Sequence, residues 1–206
     1  MIKCKRDDET DTETHHMVTK GSRTEKNLLT ASLAESLARN QYSFFASQAE
    51  KEGYHQISRI FNEISDHERI HAKNFFKYLP GGTCEIKSCF PSSVVGSTLE
   101  NLKQACDEEL DAHSKLYPES AKVARDEGFE DVARMFLNVA IAEKLHERRF
   151  RKLLKTVEEG KIWKNAENSI WLCSKCGFNM EGKEPPAKCP SCQHPKEYFE
   201  VFTEKC

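Results

Sequence analysis

Six side chains of metal-binding type fall where helices would turn apolar residues toward a core. At helical spacing, residues 28–45 give a stripe of Leu28, Ala31, Glu35, Ala38, Tyr42 and Phe45. Residues 57–78 give Ile57, Phe61, Ile64, Glu68, His71, Phe75 and Tyr78, and residues 102–116 give Leu102, Cys106, Glu109, His113 and Leu116. Residues 132–153 give Val132, Phe136, Val139, Glu143, His146, Phe150 and Leu153. A carboxylate on an apolar seam costs several kcal/mol unless its charge is compensated. Four at one depth require a shared cation. Spacing of i, i+3 puts Glu68 with His71, and Glu143 with His146, on one helical face. One Glu from each of two helices plus Glu-x-x-His from each of the other two is the donor set of a dinuclear carboxylate centre. The candidate ligands are therefore Glu35, Glu68, His71, Glu109, Glu143 and His146. Taken singly, each would read as a surface Glu or a hydrogen-bonded core His; it is their joint placement that argues for metal. His55, His67 and His194 lie off the stripes and read as ordinary surface residues.

A second signal has different chemistry. Cys173, Cys176, Cys189 and Cys192 form C-x2-C-x12-C-x2-C, the spacing of one tetrahedral thiolate-bound metal. Spacing alone admits zinc or iron, since both accept four sulfurs. The neighbouring dinuclear centre favours iron, because a redox-inert zinc would have no evident task beside a centre that needs electrons. The other thiols, Cys4, Cys84, Cys89, Cys106 and Cys206, read as small apolar residues or inert surface groups. An odd total of nine cysteines with metal-type spacing points to a reducing compartment, so a cytoplasmic location is expected.

Composition narrows the class further. The chain has 206 residues, 38% hydrophobic and 31% charged, which suits amphipathic helices around one core with a small appendage. A net charge of −2 offers no electrostatic basis for binding nucleic acid or an anionic membrane. No apolar run approaches the roughly 20 residues that span a bilayer. Residues 1–20 are rich in acidic residues and Thr, lack the apolar stretch of a signal peptide, and read as a disordered extension. The His15-His16 pair gives it a faint capacity for metal scavenging.

The elements that must position these ligands follow from breakers and caps. The first helix opens near Ser22 or Thr24, with Ser22 and Glu25 at capping-box spacing, and ends at Gly53. The second runs from Tyr54 or His55 to about Leu79, so the short connection makes the two antiparallel. Residues 80–97 hold two prolines, three glycines and four serines without helical period. Eighteen extended residues reach about 60 Å, ample to return along a helix of about 38 Å. A third helix from about Ser97 to Glu127, interrupted near Pro118, and a fourth to about Glu158 complete the set. Two antiparallel pairs joined by one long crossover predict an all-α ferritin-like four-helix bundle. The expected division is an extension 1–20, a bundle 21–159, a linker 160–168, and a metal-knuckle domain 169–206 with short β-strands that folds around its ion.

The combination closely resembles the rubrerythrin family over nearly all of residues 21–202. The markers are Gly21-Ser-Arg-Thr-Glu-Lys-Asn27, Ala34-Glu35-Ser36, Ala38-Arg39-Asn40, Glu68-Arg-Ile-His71-Ala-Lys73 and Glu143-Lys-Leu-His146-Glu-Arg148. Trp171-Leu-Cys-Ser-Lys-Cys-Gly-Phe178 and Cys189-Pro-Ser-Cys-Gln-His-Pro195 resemble that family's rubredoxin-like domain. The resemblance implies a di-iron centre on the six candidate ligands, with Tyr42 and Tyr117 close by, and a mononuclear iron on the four cysteines. It implies reduction of hydrogen peroxide to water, with electrons relayed through the Cys4 iron from an NAD(P)H-dependent reductase or a rubredoxin. It also implies a homodimer serving oxidative-stress defence. One departure matters. Members usually carry a further Glu three residues after the third-helix ligand, where this chain has Ala112. In the family that Glu exchanges with the second-helix His as ligand of one iron. Three outcomes are compatible with alanine: His71 stays on its iron, His113 at i+4 from Glu109 substitutes, or the site is weakened. Glu108 and Asp111 are poorer substitutes, since neither shares a face with Glu109. Ala112 also leaves room for an alternative, a ferroxidase or oxygen-reducing ferritin-like protein. A non-enzymatic bundle with a structural zinc ribbon conflicts with a Glu on every stripe and a His on three of the four.

Overall fold

The computed structural model describes residues 17–92 and 94–202. The His15-His16 pair, Cys4, Cys206 and most of the expected N-terminal extension lie outside the described residues. Helix α1 (Arg23–Lys51) opens on Ser22, whose hydroxyl accepts from the Glu25 backbone N–H at 3.0 Å. The Glu25 carboxylate accepts in turn from the Gly21 N–H rather than from Ser22, so the capping box closes one residue early. Glu127, from the end of the third helical stretch, accepts from the Thr24 N–H at 2.9 Å and the Thr24 hydroxyl at 2.6 Å. It thereby ties two helix termini together. Gly53, at φ +82, ends α1 in the left-handed conformation that glycine adopts freely. Helix α2 (His55–Phe76) follows and packs antiparallel on α1.

Residues 77–97 carry no helix or strand among the described residues and form the crossover. Helix α3 (Thr98–Asp111) starts with a complete capping box, Ser97 with Glu100. The interruption anticipated near Pro118 is a π-helical turn, Ala112–Leu116, leading into α4 (Tyr117–Asp126). Tyr117 donates its N–H to the Ala112 carbonyl, five residues back. The cause is local: in a continued α-helix Pro118 would face the Ser114 carbonyl with no hydrogen to give. Helix α5 (Glu130–Glu158) returns along α3 and α4. No helix among the described residues is long and apolar enough to cross a membrane.

The interior is split. One apolar cluster holds Leu28, Phe75, Tyr117, Val132 and Phe136. Another holds Tyr42, Phe45, Ile57, Phe61, Leu102 and Phe150. Glu35, Glu68, Glu109 and Glu143, each at most 4% exposed, occupy seam positions between them. Phe61 is fully buried, and truncating such a residue to alanine costs about 3–5 kcal/mol.

The C-terminal segment is a three-stranded antiparallel sheet of order β2-β1-β3, with β1 Ser169–Cys173, β2 Asn179–Gly182 and β3 Phe199–Val201. Alternation along β1 sends Trp171 and Cys173 inward to a core with Cys189 and Phe199. This unit touches the bundle at the start of α2. His55 stacks on Tyr198 at 3.7 Å, Tyr54 stacks on Trp163, and Arg59 pairs with Glu200. His55 is thus a packing residue between sheet and bundle, contrary to its reading as an ordinary surface residue. The helical period of α2 carried no information about what covers its first turn.

Candidate metal centres

The structure brings all six predicted bundle ligands together. Their donor atoms form two overlapping groups, Glu35 with Glu68, His71 and Glu143, and Glu109 with Glu68, Glu143 and His146. Glu68 and Glu143 belong to both. Glu68 turns Oε2 to His71 Nδ1 at 2.8 Å and Oε1 to His146 Nδ1 at 3.0 Å. Glu143 turns Oε1 to His71 Nδ1 at 2.8 Å and Oε2 to His146 Nδ1 at 2.7 Å. Glu68 and Glu143, each facing both histidines, would hold two ions together with His71, His146, Glu35 and Glu109.

Protein groups alone do not satisfy this cluster. His146 Nδ1, Glu68 Oε1 and both Glu143 oxygens are buried without a hydrogen bond of acceptable geometry, although the ion-pair distances are short. The lone pairs converge on common space instead of on each other's hydrogens, the arrangement a bound cation satisfies. Burial, reinforced by Glu143 and Glu68, pushes Glu35 well above the usual carboxylate range. Burial does the same to Glu109, against the pull of His146. Glu68 is also raised by burial, but the adjacent His146 and His71 rings outweigh this and hold it at about 2. Burial lowers His71 and His146, yet their carboxylate partners drive them up to about 9 and about 12. The site demands positive charge.

Two buried tyrosines brace the outer carboxylates across the bundle. Tyr42 on α1 donates its hydroxyl to Glu109 Oε1 on α3 at 2.6 Å, and Tyr117 on α4 donates to Glu35 Oε1 on α1. The spacing differs: Tyr42 is seven residues beyond Glu35, whereas Tyr117 is eight beyond Glu109. In a regular helix the eighth residue is rotated about 100° from the seventh. The π turn absorbs the extra residue and returns Tyr117 to the ligand face. That spacing was the available signal for the π turn, and the sequence reading did not use it.

His113 lies in the π turn with Nε2 2.9 Å from Glu147, outside both donor groups. Glu108 accepts from Gln41 and Gln104, and Asp111 pairs with Lys115. His67 needs a correction. Its ring is exposed as a whole, but Nδ1 sits 3.1 Å from His146 Nε2 with the rings nearly parallel. Burial and the neighbouring His146 lower its pKa. It holds the outer nitrogen of a candidate ligand histidine, and such a contact would set that ring's tautomer and orientation. Its position off the heptad stripe hid this role, although its place next to Glu68 was a clue.

A cleft of about 1080 Å³ opens between α1, α3 and the crossover and ends on Glu35, Glu109 and Glu143. Ala112 lines it beside Glu109.

In the sheet unit the four predicted cysteines converge, with all sulfurs within 4.8 Å of one another. Cys173 and Cys192 are 3.7 Å apart, and Cys176 and Cys189 3.6 Å. These spacings are far beyond a disulfide of about 2.05 Å. They match the roughly 3.8 Å separation around a tetrahedral ion with bonds of about 2.3 Å. The Phe178 backbone N–H directed at Cys176 draws that thiol down to about 7, toward the thiolate a metal needs. Cys106, by contrast, is buried and pushed up to about 11 by burial, as an inert thiol would be.

Comparison with known proteins agrees with this geometry. The rubrerythrin family model matches residues 26–154 and 100–170, and the rubredoxin-like domain of rubrerythrin matches residues 171–200. This chain belongs to the rubrerythrin family. Rubrerythrin of Nitratidesulfovibrio vulgaris is 45% identical over 183 residues, covering 89% of this chain and 96% of the relative. Rubrerythrin of Clostridium perfringens is 48% identical over 189 residues, covering 90% and 97%. A solved structure of nigerythrin in its fully reduced, all-ferrous state superposes with a TM-score of 0.59 at 26% identity, covering 94% of this chain and 96% of that one. The rubrerythrin fold expected from the sequence, a ferritin-like helical bundle with a small rubredoxin-like sheet unit, is the fold observed. The carboxylate and histidine cluster is a di-iron site, and the four cysteines form a rubredoxin-like iron site. The family is one of oxidoreductases.

Proposed function

We propose that this rubrerythrin is a peroxidase that reduces hydrogen peroxide to water at the centre of Glu35, Glu68, His71, Glu109, Glu143 and His146. The observation that carries the reading is the pairing, on one chain, of a di-iron cluster reached by an open cleft with a one-electron Cys4 iron. Two irons held by these six residues would supply the two electrons that break the O–O bond. Protein groups do the rest. The cleft admits peroxide at the Glu35–Glu109 side. Tyr42 and Tyr117 orient the outer carboxylates, and burial with the adjacent Glu109 and Glu35 respectively raises both phenols well above 10.0, so each keeps its proton at neutral pH. They are buried O–H groups from which a proton can be passed at the centre. His67 fixes His146. Engagement of His113 with Glu147 supports the outcome in which His71 remains the ligand despite Ala112.

On this reading an NAD(P)H-dependent reductase or a rubredoxin feeds the Cys173, Cys176, Cys189 and Cys192 iron. The protein works as a homodimer in the cytoplasm in defence against oxidative stress, with units 21–159 and 169–206 joined by 160–168. The alternative, a ferroxidase or oxygen-reducing function, is favoured by one observation: Ala112 reduces the centre to a generic six-ligand set. The deciding experiment mixes fully reduced, iron-loaded protein anaerobically with stoichiometric hydrogen peroxide or with oxygen and follows both iron sites by rapid absorption and Mössbauer spectroscopy. Fast peroxide-specific oxidation of the di-iron site, then of the Cys4 iron, is expected. Equal or faster reaction with oxygen, leaving the Cys4 iron reduced, overturns the peroxidase reading.

A further inference from the structure

The cleft above the di-iron centre is far larger than hydrogen peroxide requires. A small molecule of that kind needs room comparable to the roughly 30 Å³ of a liquid water, whereas the cleft measures about 1080 Å³. Sites for organic ligands span about 300–1,000 Å³. Its chemistry is graded along its length. The inner end is formed by Glu35, Glu109 and Glu143. Ala112 offers only a methyl group there, so nothing at that position closes the passage. Farther out the wall is apolar, with Leu37 and Ala38 on α1 and Phe90, Pro91 and Val94 on the crossover. Leu37, Phe90 and Val94 are 38%, 37% and 80% exposed, apolar surface that an organic group would remove from water. Around the rim Glu100, Asp107, Glu108 and Asp111 face a single cation, Lys103. That balance repels anions.

We propose that this cleft admits neutral organic hydroperoxides, with the –OOH group at the carboxylate end beside Ala112 and the alkyl or aryl group along Leu37, Phe90 and Val94. The inference rests on the peroxidase reading and names a broader substrate class for the same site. The O–O bond would break with one electron from each of two ferrous ions held there and two protons delivered from the buffered solvent that fills the cleft. The products are an alcohol, water and two ferric ions, which the external donor reduces again. The acidic rim excludes hydroperoxides that carry a carboxylate.

The test uses the full-length, iron-loaded protein and two readouts. In the first, 2-phenyl-2-propanol, the alcohol formed from cumene hydroperoxide, is titrated into the oxidised protein and followed by NMR and calorimetry. Saturable binding at one site per chain is expected, weakened at least tenfold by Ala112→Leu and by Leu37→Trp. The second substitution lies on the exposed outer wall and serves should the first disturb packing. In the second, the reduced protein is mixed anaerobically with cumene hydroperoxide or hydrogen peroxide. The ratio of their second-order rate constants is expected to fall at least tenfold in both variants. Failure of the alcohol to bind, with hydrogen peroxide still oxidising the centre, overturns the inference and leaves the peroxidase reading standing. Burial of Leu37 and Val94 against a second copy of the chain would produce that same failure and sink it equally. Inertness toward both peroxides removes the peroxidase reading and this inference with it.

Discussion

The two halves of the bundle present the same kinds of candidate ligand by different means. In the first half, α1 gives Glu35 and Tyr42 and α2 gives Glu68 and His71, all on regular helix. In the second, α3 gives Glu109, α4 gives Tyr117 and α5 gives Glu143 and His146, but a π turn separates the first two. Each half lends its tyrosine to the other's outer carboxylate. The second half therefore reaches the geometry of the first despite one extra residue, and the cost is a widened turn that begins at Ala112 on the cleft. Near-symmetry at the metals coexists with asymmetry at the entrance. The cleft opens on the side where the two outer carboxylates meet and reaches Glu143, whereas Glu68 does not line it.

The largest effects should expose the symmetry. Glu68→Ala and Glu143→Ala each remove a carboxylate that serves both ion positions. Both are expected to abolish loading of the pair, with at least a 100-fold loss of peroxide-dependent oxidation; bound iron, measured by elemental analysis, should fall to the Cys4 site alone. If either variant retains two bundle irons, the bridging assignment is wrong.

A smaller effect should break the symmetry. His67 holds His146, and among the described residues no histidine stands in that way against His71. His67→Ala should weaken metal binding at the His146 position by about 10- to 100-fold, the usual consequence of losing an outer partner of a ligand. Competition with a chelator, resolving the two positions by Mössbauer spectroscopy, checks this. His67→Gln, which keeps an acceptor, should recover most of the affinity, and equal weakening of both positions would count against a local role.

The tyrosines return to symmetry at lower energy. Tyr42→Phe and Tyr117→Phe each leave a buried carboxylate oxygen without its donor, at about 1–3 kcal/mol. Denaturant unfolding of the metal-loaded protein should show similar losses for the two. A marked inequality would mean that the π turn leaves Tyr117 less well placed than Tyr42.

The smallest effect concerns helix starts. Helix α3 closes its own capping box, whereas α1 borrows Glu127 from the end of α4. Glu127→Ala should cost about 1 kcal/mol, because the group is partly solvated. Burial raises the Glu127 pKa, but bonds from Thr24 and Arg23 outweigh it and hold the carboxyl at about 2, below its ordinary 4.5. A depressed carboxyl stabilises the fold fully above pH 4.5 and loses that contribution as pH falls toward 2. The stability gap between wild type and variant, read from thermal melts, should close over that window. A gap that stays constant would remove the carboxylate from the explanation.

Much of this was legible in the sequence for a simple reason. Helical period converts position into depth, so six polar donors on apolar stripes announced a buried centre, and C-x2-C spacing announced the second. The crossover was visible through its prolines and glycines. What escaped depended on contacts that period does not encode. His67 points sideways from a ligand helix, and His55 meets a sheet some 140 residues later in the chain. The π turn was hidden because Pro118 drew attention to the break itself, whereas the geometry is set in the five residues before it.

The division of the interior has a consequence for the protein's lifetime. With a carboxylate layer separating two apolar clusters, the halves of the core are joined through the ions that neutralise that layer, and metal-binding energy is folding energy. Iron supply then sets more than activity. Without bound metal the buried carboxylates are left uncompensated, so the fraction of open chains would rise by mass action and with it exposure to proteolysis.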